Sequence, residues 1–102
     1  MDTEEIPMRV IHWGRARRFF QYNPGAEKAL KDWRKAVQEA KWKNFPDVKR
    51  TFGSADWVAG KIVFDIKNNE YRLIAIVAFK NQKLYIKHIM THLEYDKGSW
   101  KK

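Results

Sequence analysis

The chain has 102 residues, of which 44% are hydrophobic, enough to form the core of one small globular domain and too few for two. Its 21 Lys and Arg against 12 Asp and Glu give a net charge of +9, which favours a polyanionic partner: nucleic acid, an anionic membrane or an acidic protein. The lack of cysteine excludes disulfides and thiolate zinc sites.

No apolar run approaches the roughly 20 residues of a membrane span. The acidic first residues also lack the apolar core of a secretion signal. We therefore expect a cytoplasmic protein with no membrane partner. Residues 1–102 are expected to form a single domain, in which residues 1–7 are a flexible extension.

The N-terminal half predicts one strand and two helices. A short strand is expected from Met8 to Trp13 and a short helix from Arg15 to Tyr22. Asn23-Pro24-Gly25 breaks that helix and can start the next one, because Asn is a good N-cap and Pro tolerates the first helical position. Apolar residues at helical spacing then predict a second helix over 26–43, and a loop is predicted from Asp47 to Gly60.

The C-terminal half predicts three strands joined by tight turns, and hence an antiparallel meander. The strands are Lys61–Ile66, Tyr71–Phe79 and Lys83–Thr91. The order β-α-α-β-β-β predicts an α+β fold. In it, two helices from the N-terminal half pack on one face of a small, mainly antiparallel sheet, followed by a short C-terminal helix or tail.

Strand alternation assigns side chains to the two faces of this sheet. Arg72 shares a face with Ile74 and Ile76, near a strand end where a side chain can reach solvent. On the last strand, the apolar face is predicted to comprise Leu84, Ile86, His88 and Met90. His88 is therefore expected to be a core histidine, with Lys87 projecting from the opposite face.

Six segments resemble the HigB family of toxins, in order over residues ~8–97, which is nearly the whole chain. They are Glu27–Trp33, Ala40–Lys49, Val63–Ile66, Asn69–Ile74, Tyr85–Lys87 and Thr91–Lys97. The most specific part is Asn-x-Tyr-Arg-Leu-Ile followed, after a strand, by Thr-His-x-Glu-Tyr-Asp-Lys.

The resemblance implies a RelE-like fold and an mRNA-cleaving toxin that acts in the ribosomal A site. A 2′-hydroxyl attacks the adjacent phosphate without a metal, giving a 2′,3′-cyclic phosphate and a 5′-hydroxyl. The implied partners are mRNA, the ribosome and a HigA-type helix-turn-helix antitoxin. No cofactor is expected.

Such a reaction needs a base, a cation for the phosphoryl charge and an acid for the leaving oxygen. Arg72 is the predicted phosphate clamp, since a guanidinium can hold two phosphoryl oxygens; the alternative is an ion pair with Glu70 or Asp65. His92 is the predicted base or acid, because histidine titrates near neutrality. The alternative is a histidine that hydrogen-bonds the end of the sheet.

Tyr95 and Lys87 complete the predicted catalytic set. Tyr95 is expected to stack on a base or transfer a proton, or else to pack its ring against the sheet. Lys87 stands where the family often has Arg, so it offers a point charge to phosphate. Asp96 is expected to orient His92 or Lys97, or to cap a final helix.

Four further residues are predicted to contact RNA: Lys61, Lys97, Tyr85 and Arg17. For the lysines the alternative is a solvated charge. For Arg17, which belongs to a basic cluster with Arg15 and Arg18, the alternative is a solvated helical face. The three histidines lack metal-ligand spacing, so no metal site is expected.

Two other functions compete with the ribonuclease. One is a non-catalytic RNA- or ribosome-binding protein, which would more typically alternate exposed aromatic and basic residues along strands. Only Tyr85-x-Lys87 does so here. The other is a ParE-like toxin that poisons gyrase on the same fold, against which the cluster from Thr91 to Asp96 argues.

Overall fold

The computed structural model describes residues 7–98 and residue 100. The elements run in chain order: β1 (Arg9–Ile11), α1 (Trp13–Tyr22), a 3₁₀ turn (Pro24–Ala26), α2 (Glu27–Glu39), α3 (Phe45–Thr51), β2 (Asp56–Val58), β3 (Lys61–Ile66), β4 (Tyr71–Ala78), β5 (Lys83–Thr91) and α4 (His92–Lys97). The expected flexible extension falls, apart from Pro7, outside the described residues.

The strands form one sheet in the order β1-β5-β4-β3-β2. Strands β2 to β5 pair antiparallel in succession, and β1 alone pairs parallel, with β5. The predicted α+β class with a mainly antiparallel sheet is therefore confirmed, as is the short C-terminal helix. No described helix has the length and apolar character needed to cross a membrane.

The apolar stripe of α2 holds the helices against the sheet. Leu30, Trp33 and Val37, at i, i+3 and i+7, are all buried in the main core. Burying a side chain such as Leu30 is worth roughly 1.5–3 kcal/mol. The ring of Trp33 meets Phe64 of β3 edge-on at 5.4 Å, which fixes the contact between α2 and the sheet.

The predicted loop over 47–60 is wrong. Helix α3, Phe45–Thr51, overlaps it. This helix starts where it does because Asn44 caps its first turn, the Asn44 side-chain oxygen accepting from the Asp47 amide at 3.0 Å. Strand β2 follows and adds an edge to β3. The predicted end of α2 is also too late, because the helix ends at Glu39. Trp42 therefore lies beyond the helix; it is 2% exposed in the main core and donates to Thr51.

A β-bulge in β5 overturns the predicted face of His88. Ile74 pairs with His88 whereas Ala75 pairs with Ile86, so Lys87 is an extra residue between two registers. After the bulge Ile89 packs in the helix-side core and Met90 packs on the other side of the sheet. The alternation is thereby shifted by one residue. His88 is exposed and is not a core histidine.

The sheet has a second, smaller apolar cluster on the face away from the main core. Val63 of β3 and Ile74 of β4 are buried there beneath Trp100, which is 5% exposed. Met90 and Tyr95 pack at the margin of this cluster. We call this side the open face, and Arg72 shares it with Ile74, as predicted.

Candidate functional site

Arg72 is the centre of a polar cluster where the β3–β4 hairpin meets α4, and it is only 8% exposed. Its Nε donates to Oδ1 of Asp65, its cross-strand partner, at 3.1 Å. Its Nη1 donates to the carbonyl oxygens of Asn69 at 3.0 Å and Tyr71 at 3.3 Å. The predicted alternative of an ion pair with Asp65 is therefore present.

The β3–β4 turn is shaped to hold this arginine. Lys67, Asn68 and Asn69 have φ of 54°, 50° and 82°, a left-handed conformation that Asn adopts more readily than most residues. With the turn in this conformation, the carbonyl oxygen of Asn69 accepts a hydrogen bond from Arg72. The Glu70 carbonyl accepts from the His92 amide at 3.0 Å, which ties α4 to the same turn.

His92 is positioned by the start of α4. Thr91 and Glu94 form a reciprocal capping box around it. The His92 Nδ1 lies 3.2 Å from Nη2 of Arg72, and its Nε2 lies 3.2 Å from Oδ2 of Asp96. Because a guanidinium can only donate, Nδ1 is the acceptor and Nε2 carries the proton. Asp96 thus orients His92, one of the roles expected for it.

Tyr95, one turn along α4, closes the cluster. Arg72 Cζ lies 5.3 Å from the centre of its ring, within the range of a cation–π contact. Trp100 stacks on the same tyrosine, with the ring centres 5.3 Å apart and an interplanar angle of 15°. Desolvation, followed by the nearby Asp56, raises the pKa of Tyr95, and Arg72 opposes this only in part. The phenol is therefore neutral at physiological pH.

Trp100 is the contributor to this region that sequence reasoning missed. Its indole Nε1 donates to the Tyr95 carbonyl at 3.3 Å. The sequence signal for Trp100 is the glycine at the end of the helix followed closely by an aromatic residue. Gly98 has a φ of 75°, the left-handed C-cap that turns a chain back at the end of a helix. An aromatic residue two positions later can then reach the sheet.

The structure does not bring the remaining predicted residues into this cluster. Lys61 begins β3, four residues from Asp65, or roughly 13 Å along the strand. Tyr85 lies opposite Ile76 and its ring is 6.1 Å from that of His12. Lys97 is exposed at the end of α4, and Arg17 is exposed on α1. Their predicted contacts with RNA stay predictions.

Lys87 lies instead in a separate groove of 370 Å³ between the bulged part of β5 and α1. We call it the β5–α1 groove; its lining includes Arg15, Arg18, Phe19, Tyr22, Lys87 and His88. Desolvation of the ring, with Arg15, Lys61 and Lys87, lowers the pKa of His88. The predicted basic cluster of α1 is thus divided, with Arg15 and Arg18 at the groove and Arg17 outside it.

The Arg72 cluster combines the groups that proton transfer on an anion requires. A buried cation and a neutral imidazole that is hydrogen-bonded to a carboxylate form one hydrogen-bonded set, and the ring of a neutral phenol lies against the cation. Among residues 7–98 and 100, no group of three or more His, Cys, Asp or Glu could hold a metal ion. The fold and the cluster define a small basic α+β protein with a candidate acid–base site on its open face.

The model of the HigB toxin family, described as the RelE-like toxic component of a toxin–antitoxin system, matches residues 26–98. The chain belongs to this family, and the resemblance seen in the sequence is confirmed. The matched range covers α2 and extends to the C-cap of α4, so it includes Asp65, Arg72, His92, Tyr95 and Asp96 but not Trp100.

Curated relatives carry names that fit this family. The chain is 36% identical over 63 residues to the mRNA interferase toxin HigB of Escherichia coli strain K12, covering 59% of this chain and 61% of the relative. It has the same identity and coverage with the mRNA interferase HigB of Shigella flexneri. The mRNA interferase HigB of Escherichia coli O6:H1 is 46% identical over 35 residues, 34% of each chain. The chain thus spans about three fifths of the length of the first two relatives.

Proposed function

We propose that this protein is the toxin of a toxin–antitoxin pair and acts as a ribosome-dependent mRNA endoribonuclease. Family membership, the relatives' names and the net charge of +9 support this proposal. The observation that carries it is the continuous set of contacts from Asp65 through Arg72 and His92 to Asp96, with Tyr95 alongside.

His92 is the proposed general base. When a phosphate draws Nη2 of Arg72 towards itself, Nδ1 of His92 is released beside it and can take the proton of the attacking 2′-hydroxyl. The Nε2–H of His92 keeps its hydrogen bond to Asp96, whose negative charge stabilises the imidazolium that forms. The His92 side chain is 50% exposed, so RNA can reach it.

Arg72 is the proposed electrostatic stabiliser of the phosphoryl oxygens. Its contacts with Asp65, Asn69, Tyr71 and His92 use four of the five guanidinium N–H groups. The fifth N–H is available on Nη2, the same nitrogen that faces His92. Asp65 and the turn carbonyl fix the other side of the guanidinium, so the group is oriented before substrate arrives.

Tyr95 is the proposed acid. Its raised pKa keeps the hydroxyl protonated, which suits a donor to the leaving oxygen and argues against a base. The step balances: the 2′-oxygen bonds to phosphorus, the bond from phosphorus to the 5′-oxygen breaks, and Tyr95 gives that oxygen its proton. The imidazolium of His92 then returns a proton to the phenolate through solvent.

The cluster is shallow, which supports the proposed roles of the ribosome and of an antitoxin. Asp96 and His92 are half exposed, so the site by itself orders little of an RNA strand and relies on the ribosome for positioning. The same exposure lets a HigA-type helix-turn-helix antitoxin cover it. Lys61, Lys87, Lys97 and Tyr85 are proposed as further RNA contacts, and the cytoplasm as the place of action. Arg17, which is exposed outside the β5–α1 groove, is proposed to stand on a solvated helical face instead.

Brief induction in a bacterial host, followed by mapping of mRNA 5′ ends, tests this function. We expect arrested translation and new 5′ ends in codon phase within translated regions. A His92→Gln variant expressed to the same level is the matched control and should leave mRNA intact. Arrest with intact mRNA would instead indicate a non-catalytic ribosome binder, and arrest of replication with gyrase-linked DNA breaks would indicate a ParE-like toxin.

A further inference from the structure

The β5–α1 groove lies where the sheet ends early. Strand β1 has three residues and pairs only with Lys83–Tyr85. Beyond Tyr85, within the described part of the chain, β5 pairs with β4 alone. The bulge at Lys87 is in this half of the strand. Helix α1 packs along it, and the groove of 370 Å³ forms between the two elements.

The spacing of α1 places one row of side chains along the groove. Arg15, Arg18, Phe19 and Tyr22 stand at i, i+3, i+4 and i+7, which is one face of a helix. Arg17 falls on a different face and does not line the groove. The groove therefore selects two of the three arginines of α1.

The cations of the groove are unpaired within residues 7–98 and 100. Arg15 and Arg18 of α1 and Lys87 of β5 make no side-chain hydrogen bond or ion pair there, and no carboxylate lines the groove. Other cations of the chain are paired, such as Lys28 with Asp32 at 2.9 Å. Gathering like charges without partners is unfavourable, and an anion in the groove would relieve it.

His88 responds to this positive field. Besides desolvation, the charges that lower its pKa are those of Arg15, Lys61 and Lys87, from three different elements. Tyr22 also lines the groove and is 79% exposed, the most exposed large hydrophobic residue described. A basic groove beside an accessible aromatic ring is the arrangement that binds single-stranded nucleic acid, with phosphates on the cations and a base on the ring.

We propose that the β5–α1 groove binds single-stranded RNA, with Arg15, Arg18 and Lys87 on phosphates and Tyr22 stacked on a base. The proposal rests on the proposed function and extends its site, since the occupant is RNA that flanks the cut phosphate. Lys87 is three residues along β5 from Met90, which pairs with Arg72, so the two sites are roughly 10 Å apart along the strand.

Binding of a short 2′-O-methyl RNA, which has no free 2′-hydroxyl to attack phosphate, measures this groove without cleavage. Titrations over a range of salt give the slope of log K against log salt, to which each phosphate contact on a single strand adds about 0.7. We expect the double variant with Arg15→Ala and Arg18→Ala to reduce the magnitude of the slope by about 1.4. Tyr22→Ala should weaken binding about 10-fold with the slope unchanged.

Arg17→Ala is the matched control, because Arg17 is an exposed arginine of the same helix outside the groove. It should leave the slope and the affinity close to those of the wild type. An equal loss in Arg17→Ala and Arg18→Ala would show diffuse charge attraction and overturn the proposal. If polyglutamate bound to the groove and the methylated RNA did not, the proposal would be overturned in favour of an acidic protein segment.

The two proposals fail separately. A wild type that binds the methylated RNA through the groove but leaves cellular mRNA intact contradicts the ribonuclease and supports the groove. The opposite result contradicts the groove alone: the wild type cuts mRNA, but the variants of Arg15, Arg18 and Tyr22 bind the methylated RNA as tightly as the wild type does. Circular dichroism of each variant checks that α1 is retained.

Discussion

The Arg72 cluster and the β5–α1 groove contain the same types of side chain in opposite electrostatic settings. In the cluster, Arg72 is paired with Asp65 and His92 with Asp96, and the ring of Tyr95 lies against Arg72. In the groove, cations and an exposed tyrosine face solvent without a carboxylate among the described lining residues. Both regions use residues of the β4–β5 pair, about three positions apart along it.

This difference separates two uses of positive charge. The charge of a paired arginine such as Arg72 is largely neutralised by its partner, so it attracts RNA weakly at a distance. Its geometry is fixed, however, and a fixed geometry favours stabilisation of a transition state. Unpaired cations such as Arg18 have no fixed geometry, but they retain their attraction for phosphate. In the two proposals made above, pairing therefore distinguishes the site of the reaction from the surface that holds the RNA strand.

Replacing Arg72 should have the largest effect, because it breaks both the pairing and the fold around it. Arg72→Ala leaves Asp65, the carbonyls of Asn69 and Tyr71 and Nδ1 of His92 without their donor. Removing one partner of a buried pair costs about 3 kcal/mol. Urea denaturation should show this loss, together with abolished mRNA cleavage.

The exposed pair of Lys28 and Asp32 is the control for that change, since it is fully at the surface of α2. Lys28→Ala should cost under about 0.5 kcal/mol and leave cleavage unchanged. If Arg72→Ala were as mild as Lys28→Ala, the cluster would not be a structural unit.

Tyr95→Phe should slow cleavage about 100-fold with the fold retained. The phenyl ring keeps its stack on Trp100 and its contact with Arg72, and only the hydroxyl is lost. Because the pKa of Tyr95 is raised above its ordinary 10.0, the wild-type phenol stays protonated through pH 9. Its rate should therefore not fall between pH 7 and pH 9; a fall with an apparent pKa near 8, absent from Tyr95→Phe, would contradict this role.

Thr91→Ala should have a moderate effect that reaches the site through α4. It removes the hydroxyl that accepts from the Glu94 amide and so breaks the capping box. Loss of such a cap costs about 1 kcal/mol. Thr91→Ser, which keeps the hydroxyl, is the control. Equal thermal stability of the alanine and serine variants would show that the cap does not hold His92 in place.

The smallest expected effect is a pH dependence of stability due to His88. The lowered pKa means that the folded state binds fewer protons than the unfolded state just below pH 6.5. Stability from this group is therefore present above pH 6.5 and lost as pH falls. Compared with His88→Gln, the wild type should lose more stability between pH 7.5 and pH 5 in urea titrations. Parallel curves would show that neither desolvation nor the charges of Arg15, Lys61 and Lys87 lower the pKa of His88.

Local patterns predicted much of the fold because they depend on neighbours in sequence. The face of Arg72 followed from alternation along β4, a strand that stays regular on its β3 side. The β3–β4 turn is expected from its Asn residues, which accept left-handed geometry, and it is confirmed. A short helix or tail is expected at the end of the chain, and the structure has the helix, capped by Thr91 and Glu94. These features bring Arg72, His92 and Tyr95 together.

The errors arose where one position or one distant contact decides the structure. A single extra residue, Lys87, shifts the faces of β5 and moves His88 out of the core, and no composition signal marks such a bulge. The α3 helix carries the same Asn-and-Pro signal that was used at Asn23, where the structure has only a 3₁₀ turn. At α3 the local signal is supported by tertiary packing, because Trp42 is buried in the main core and donates to Thr51 at the end of the helix.

The most direct test of the central claim is the chemistry of the cut ends made by purified toxin on ribosomes programmed with a defined mRNA. For wild type, we predict a 2′,3′-cyclic phosphate on one fragment and a 5′-hydroxyl on the other. With His92→Gln, the rate of their formation should fall at least about 100-fold. A 5′-phosphate end, or an unchanged rate in His92→Gln, would contradict 2′-hydroxyl attack promoted by the Arg72 cluster.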